Sequence, residues 1–68
     1  MKEQCILRLK ELMKKNNDNT VTLARKINVT NQAVSYWLLN KREPKVESLE
    51  NIADCYGVSV DYLLCRKD

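Results

Sequence analysis

Within the run VTNQAVSYWLLNKREP, residues 29–44, six side chains stand out for what they can bond. Asn31 and Gln32 carry primary amides, Ser35 and Tyr36 carry hydroxyls, and Lys41 and Arg42 carry cations. A primary amide holds a donor and an acceptor side by side, the arrangement that bonds adenine through N6 and N7. Serine can serve several base edges, and tyrosine can stack on a sugar, reach a phosphate or touch a base. Ala33 offers a methyl group for the methyl of thymine. Lysine and arginine suit phosphate oxygens. The same residue types also make an ordinary solvated helix face, so the surrounding pattern has to decide between the two.

Other chemistries are poorly supplied. The chain has no histidine, so no Cys-His or Ser-His pair can be built. Cys5, Cys55 and Cys65 are an odd number without CxxC spacing, and three cysteines fall short of a four-ligand zinc site. They read as reduced thiols on or near a core. Cys65 reads as exposed and prone to adventitious disulfides. Gly57 stands alone, so there is no glycine-rich phosphate loop. The acidic residues fall where solvated helix faces would put them. The expectation is a protein that is no enzyme and holds no metal or cofactor.

The elements that position the six side chains are helical. Sixty-eight residues suit one small domain, residues 1–68, and such a chain must be compact and helical or must associate. Hydrophobic residues are 44% and charged residues 31%, a globular balance rather than a disordered one. One glycine and one proline leave little for the turns of a β-sandwich. No apolar run is long enough for a membrane span and the opening MKEQ starts no signal peptide, so a cytoplasmic location is expected.

Five helical segments follow. The first spans about residues 2–15, with Ile6, Leu9 and Met13 on one stripe and Cys5 and Leu12 beside it. The polar run at residues 16–19 breaks it, and Asn19 is the expected N-cap of the second, with Asp18 or Thr20 as alternatives. The second helix, about residues 20–27, buries Leu23, Ala24 and Ile27; Val21 lies off that stripe. Asn28 ends it, Val29 buries into the corner, and Thr30 caps the third helix, residues 31–39, whose apolar members are Val34, Trp37 and Leu38. Asn40 is a second stop, and residues 41–44 form a loop. The fourth helix, about residues 46–56, turns Val46, Leu49, Ile52, Ala53 and Tyr56 inward and ends at Gly57. Ser59 caps a short fifth helix reaching about Cys65. Two helices joined by a tight turn, with the small Ala24 at their close contact, describe a helix-turn-helix at about residues 20–39.

The stretch LARKINVTNQAVSYWLLNKREPKVESLENIADCYGVSVDYLL resembles the Cro/C1-type (XRE) helix-turn-helix family of phage repressors and bacterial regulators. The resemblance runs without a gap over residues 8–64. It rests on the Leu23-Ala24 pair, the block at residues 29–35, the KREP loop and the GVSVDYLL ending. It implies an all-α, compact, five-helix lambda-repressor-like DNA-binding domain, used as a dimer, with the third helix in the major groove. On that pattern Asn31, Gln32, Ser35 and Tyr36 are the expected base contacts. Thr20, Thr30, Lys41 and Arg42 are the expected backbone contacts. Backbone N–H groups at the start of the second helix can add a phosphate contact.

Three departures stand out. Thr20 replaces a usual glutamine, and Asn28 replaces a usual glycine. Met13 and Leu38 together replace an arginine–glutamate pair. Losing both halves of a partly buried ion pair is often neutral or stabilising, which implies that these two positions meet in the fold. The cost is an arginine that can help hold the DNA backbone.

Charge agrees with the pattern. Over residues 20–45 there are five bases (Arg25, Lys26, Lys41, Arg42, Lys45) and one acid, Glu43. Over residues 46–65 there are four acids and no base, so the net +3 conceals a polarised molecule. The last helix has more apolar residues than a short helix can turn inward, which makes Tyr62, Leu63 and Leu64 candidates for a homodimer interface. The favoured reading is a sequence-specific transcriptional regulator of bacterial, phage or mobile-element type: a repressor that occupies an inverted-repeat DNA operator and takes no small-molecule ligand. The alternative is an antitoxin or other regulatory module that acts through a protein partner, a reading that the weakened phosphate positions Thr20 and Met13 keep open.

Overall fold

The computed structural model describes residues 1–66. It holds five helices in chain order, α1 (Glu3–Lys15), α2 (Thr20–Lys26), α3 (Asn31–Leu38), α4 (Val46–Tyr56) and α5 (Val60–Leu63), and no strand among the described residues. None of these helices is long and apolar enough to cross a membrane.

Local chemistry sets the ends. Asn19 caps α2 in both directions: its side chain accepts from the Thr22 N–H at 2.9 Å, and its own N–H donates to Thr22 Oγ1 at 2.8 Å. Thr30 accepts from the Ala33 N–H at 3.1 Å to start α3, and Ser59 accepts from the Tyr62 N–H at 3.0 Å to start α5. Chain reversals fall on Asn17, Asn28, Asn40 and Gly57, all left-handed, with φ of 58°, 59°, 56° and 66°. Asparagine and glycine are the residues that tolerate this region best. After Asn28 the Val29 N–H returns to Ala24 O at 2.9 Å, so the turn between α2 and α3 is closed by the backbone itself.

The core is built from one stripe of each helix. Leu9 and Met13 of α1, Leu23, Ala24 and the adjoining Ile27, Val34 and Trp37 of α3, Ile52 and Ala53 of α4, and Leu63 of α5 form one buried cluster. α2 packs on α3 more extensively than any other two helices pack. Ala24, buried at their contact, lets them approach closely. Met13 is buried and Leu38 packs on the same cluster, so the two apolar replacements share one core. Val29 is half-buried against it, and Val21 is exposed.

Three expectations need correction. Val46 is 69% exposed rather than inward: it occupies the first turn of α4, beyond the rim of the core, and the buried stripe starts at Leu49. Leu63 is 1% exposed, so it is a core residue and not an interface one. With α5 only four residues long, Leu63 is its one buried side chain and seals the cluster against α1 and α4. Asp18 does not sit on a solvated face: its side chain is 3% exposed.

Asp18 is a bonded hub. Thr22 Oγ1 donates to its Oδ1 at 2.9 Å, the Tyr56 hydroxyl donates to Oδ2 at 2.9 Å, and Lys26 Nζ lies 2.9 Å from both oxygens. Burial alone would raise the Asp18 pKa. The bonds from Lys26, Thr22 and Tyr56 outweigh it and hold the carboxyl below the ordinary aspartate value. Burial, then the same contact, pushes the Tyr56 phenol well above its ordinary value. The entrance to α2 is thereby tied to the last turn of α4.

Candidate nucleic-acid interface

α3 divides cleanly. Val34 and Trp37 are buried and Leu38 is half-buried, which fixes the rotation of the helix about its axis. The opposite face carries Asn31 and Gln32, exposed, and Ser35 and Tyr36, half-buried. Asn31 and Gln32 sit in the first turn, and Gln32 and Tyr36 are one turn apart.

That face is ordered by its own contacts. Gln32 Nε2 donates to the Tyr36 hydroxyl at 2.9 Å. The Arg42 guanidinium lies 5.6 Å from the centroid of the Tyr36 ring, within cation–π range. The bond fixes which way the Gln32 amide faces. Its Oε1 and second N–H remain available, and these are the atoms a bidentate contact to adenine uses. The Lys41 N–H donates to Tyr36 O at 2.8 Å, which fastens the basic loop to the end of α3. Lys41 and Arg42 are exposed. Glu43, the acid of that loop, pairs with the Met1 amino group, which also donates to Asn40 Oδ1 at 3.1 Å.

The threonines are placed differently. Thr30 is exposed at the head of α3, and while its oxygen accepts the capping bond its O–H stays free to donate outward. Thr20, half-buried, is the first residue of α2. Of the two cations on α2, Lys26 is committed to Asp18, and Arg25 is exposed.

Lys45 is a further cation near this face. With Arg42 and Ser48 it lines a recess of about 210 Å³ whose floor includes Val29, Ala33 and Trp37. Lys45 is also the N-cap of α4 and makes no side-chain capping bond; Glu43 lines the same recess, and Glu47 lies in the first turn of α4. A larger open depression of about 410 Å³ lies between α2 and α4, lined by Lys26, Asn51, Asp54 and Cys55, away from the polar face of α3.

No curated protein and no solved structure matches this chain. A helix-turn-helix family model matches residues 9–63, which takes in α2, the closed turn, α3 and all of α4 and α5. With that match laid over an all-helical fold whose α2 and α3 pack as described, the chain belongs to the Cro/C1-type helix-turn-helix family of DNA-binding transcriptional regulators.

Proposed function

We propose that the protein is a cytoplasmic repressor that binds an inverted-repeat operator as a homodimer, with α3 in the major groove. The observation that carries this reading is the outer face of α3. Asn31, Gln32, Ser35 and Tyr36 lie together there, the Gln32 amide is already oriented by Tyr36, and Lys41 and Arg42 are fastened at the helix end. Asn31 and Gln32 read base edges, and Ser35 and Tyr36 complete the contact. Thr20, Thr30, Lys41, Arg42 and Lys45 hold the phosphates on either side. The exposed parts of Tyr62 and Leu64, both half-buried, meet a second copy. Repression follows from occupancy of the operator.

The test is DNA binding across a salt series. Three cations per subunit, Lys41, Arg42 and Lys45, give a dimer a log–log slope of about −5. A flat response would remove the phosphate contacts from the account.

A second reading has its own observation. Leu7 and Leu39 are 54% and 62% exposed and, with Ile6 and Leu38, line a recess of about 270 Å³ between the start of α1 and the end of α3. Glu3, Lys10 and Asn40 line the same recess, so an antitoxin-like module would use a mixed apolar and polar face for a protein partner, and its binding would depend on salt less steeply than operator binding.

A further inference from the structure

Lys41 and Arg42 stand between Asn40 and Glu43, and a single nitrogen holds both of those neighbours. The Met1 ammonium donates to Asn40 Oδ1 at 3.1 Å, across 39 positions, and pairs with the Glu43 carboxylate. The first residues of a domain fray unless something ties them down. Here the Met1 side chain is 2% exposed, so the residue is seated rather than loose. Asn40 is left-handed, with φ of 56°, and is the point at which the chain turns out of α3 into the basic loop.

The rest of that loop is held by other means. The Lys41 N–H donates to Tyr36 O at 2.8 Å, and Pro44 is buried. Neither contact restrains the Glu43 carboxylate, whose side chain is 69% exposed. Glu43 is the single acid of residues 20–45, and it lines the recess that Arg42 and Lys45 also line. Unpaired, it would repel a DNA phosphate and compete with it for those cations. An exposed ion pair contributes little to stability. Its effect falls instead on the local charge and on the geometry of the loop.

We propose that the Met1 ammonium is a positioning group for DNA binding: it neutralises Glu43 and, by bridging Asn40 and Glu43, sets Lys41 and Arg42 for phosphate. An acyl group on that nitrogen removes its charge and leaves it one N–H. Such a chain has an unpaired acid in its basic loop and a looser hold on the two cations, so it binds DNA more weakly. The proposal rests on the reading of Lys41 and Arg42 as phosphate contacts.

The test uses the full chain made with a free or an acetylated Met1 nitrogen, each as wild type and as Glu43→Gln, with Arg42→Ala as a control. The probe is a short duplex of mixed sequence at low salt, because phosphate contacts act on every sequence. Acetylation should weaken binding by about tenfold in wild type and by about twofold in Glu43→Gln, since the two groups act as a coupled pair. Melting temperatures of free and acetylated wild type should agree within about 5 °C. Equal weakening in both backgrounds would mean that the ammonium counts only as one more charge, and would overturn the proposal. A larger fall in melting temperature would make the effect one of folding and overturn it too. If Arg42→Ala binds as wild type does, the phosphate reading fails and this proposal with it. Weakening by Arg42→Ala without weakening by acetylation overturns this proposal alone.

Discussion

Gln32 and Tyr36 stand four positions apart on α3, and the bond between them gives the amide one orientation before any DNA arrives. Preorganisation of this kind lowers the ordering cost of binding and sharpens discrimination. Gln32→Ala should therefore erase preference at one base pair, at a cost of about 1–3 kcal/mol on the specific site and little elsewhere. Tyr36→Phe keeps the ring under Arg42 but frees the amide; it should weaken the same preference by about 1 kcal/mol, read in a competition assay against base-substituted sites. Arg42→Ala should weaken all sequences alike and make the salt slope shallower by about 1 per subunit. The polar face was legible because amide and hydroxyl side chains alternate with Val34 and Trp37 at helical spacing. The internal bond was equally local but depended on which rotamers the side chains adopt. The burial of Asp18 was not legible: Thr22 and Lys26 lie close to it in sequence, but Tyr56 lies 38 positions away and only the fold brings it to the carboxylate.

At the scale of elements, the Asp18 hub decides how α2, the helix that carries α3, is held against α4. Asp18→Asn should lower stability by about 1–3 kcal/mol near neutral pH, since three donors lose a charged acceptor. Its folded pKa is depressed, so the stabilisation is present above the ordinary aspartate value and is lost as pH falls through the depressed one. The gap between urea melts of wild type and Asp18→Asn should consequently be full above about pH 4, narrow as pH falls below it, and close only once pH has passed the depressed folded value. The Tyr56 and Lys26 values are raised, so their part is present below their ordinary values and fades as pH climbs beyond about 10. The helices themselves were legible to within a residue or two, because caps and stops are local: Asn19, Thr30, Asn28, Asn40, Gly57 and Ser59 act where their types predict. Depth was less legible. Val46 falls in phase with the inner face of α4 and yet overhangs the core. Leu63 looked like surplus surface and instead closes the core, because a helix of four residues has no other side chain to offer.

At the scale of the whole molecule, the bases of residues 20–45 and the acids of residues 46–65 divide the charge unevenly along the chain. On the proposed reading the basic segment faces the duplex, and α5 lies at the join between two copies. Leu64→Glu should leave the fold intact, since Leu64 is only half-buried, and should shift sedimentation toward monomer while weakening operator binding at least about tenfold. Polarity of this kind could be counted along the chain, whereas the surface through which copies meet could not, because one sequence segment supplies both core and rim. The most direct measurement is selection of bound sequences from a random DNA pool at moderate salt. The account predicts a short inverted repeat with half-sites about one helical turn, ~34 Å, apart, and loss of one position of each half-site when Gln32→Ala is selected in parallel. Recovery of nothing above background, or of the same sequences with Gln32→Ala as with wild type, would contradict a recognition helix that reads bases.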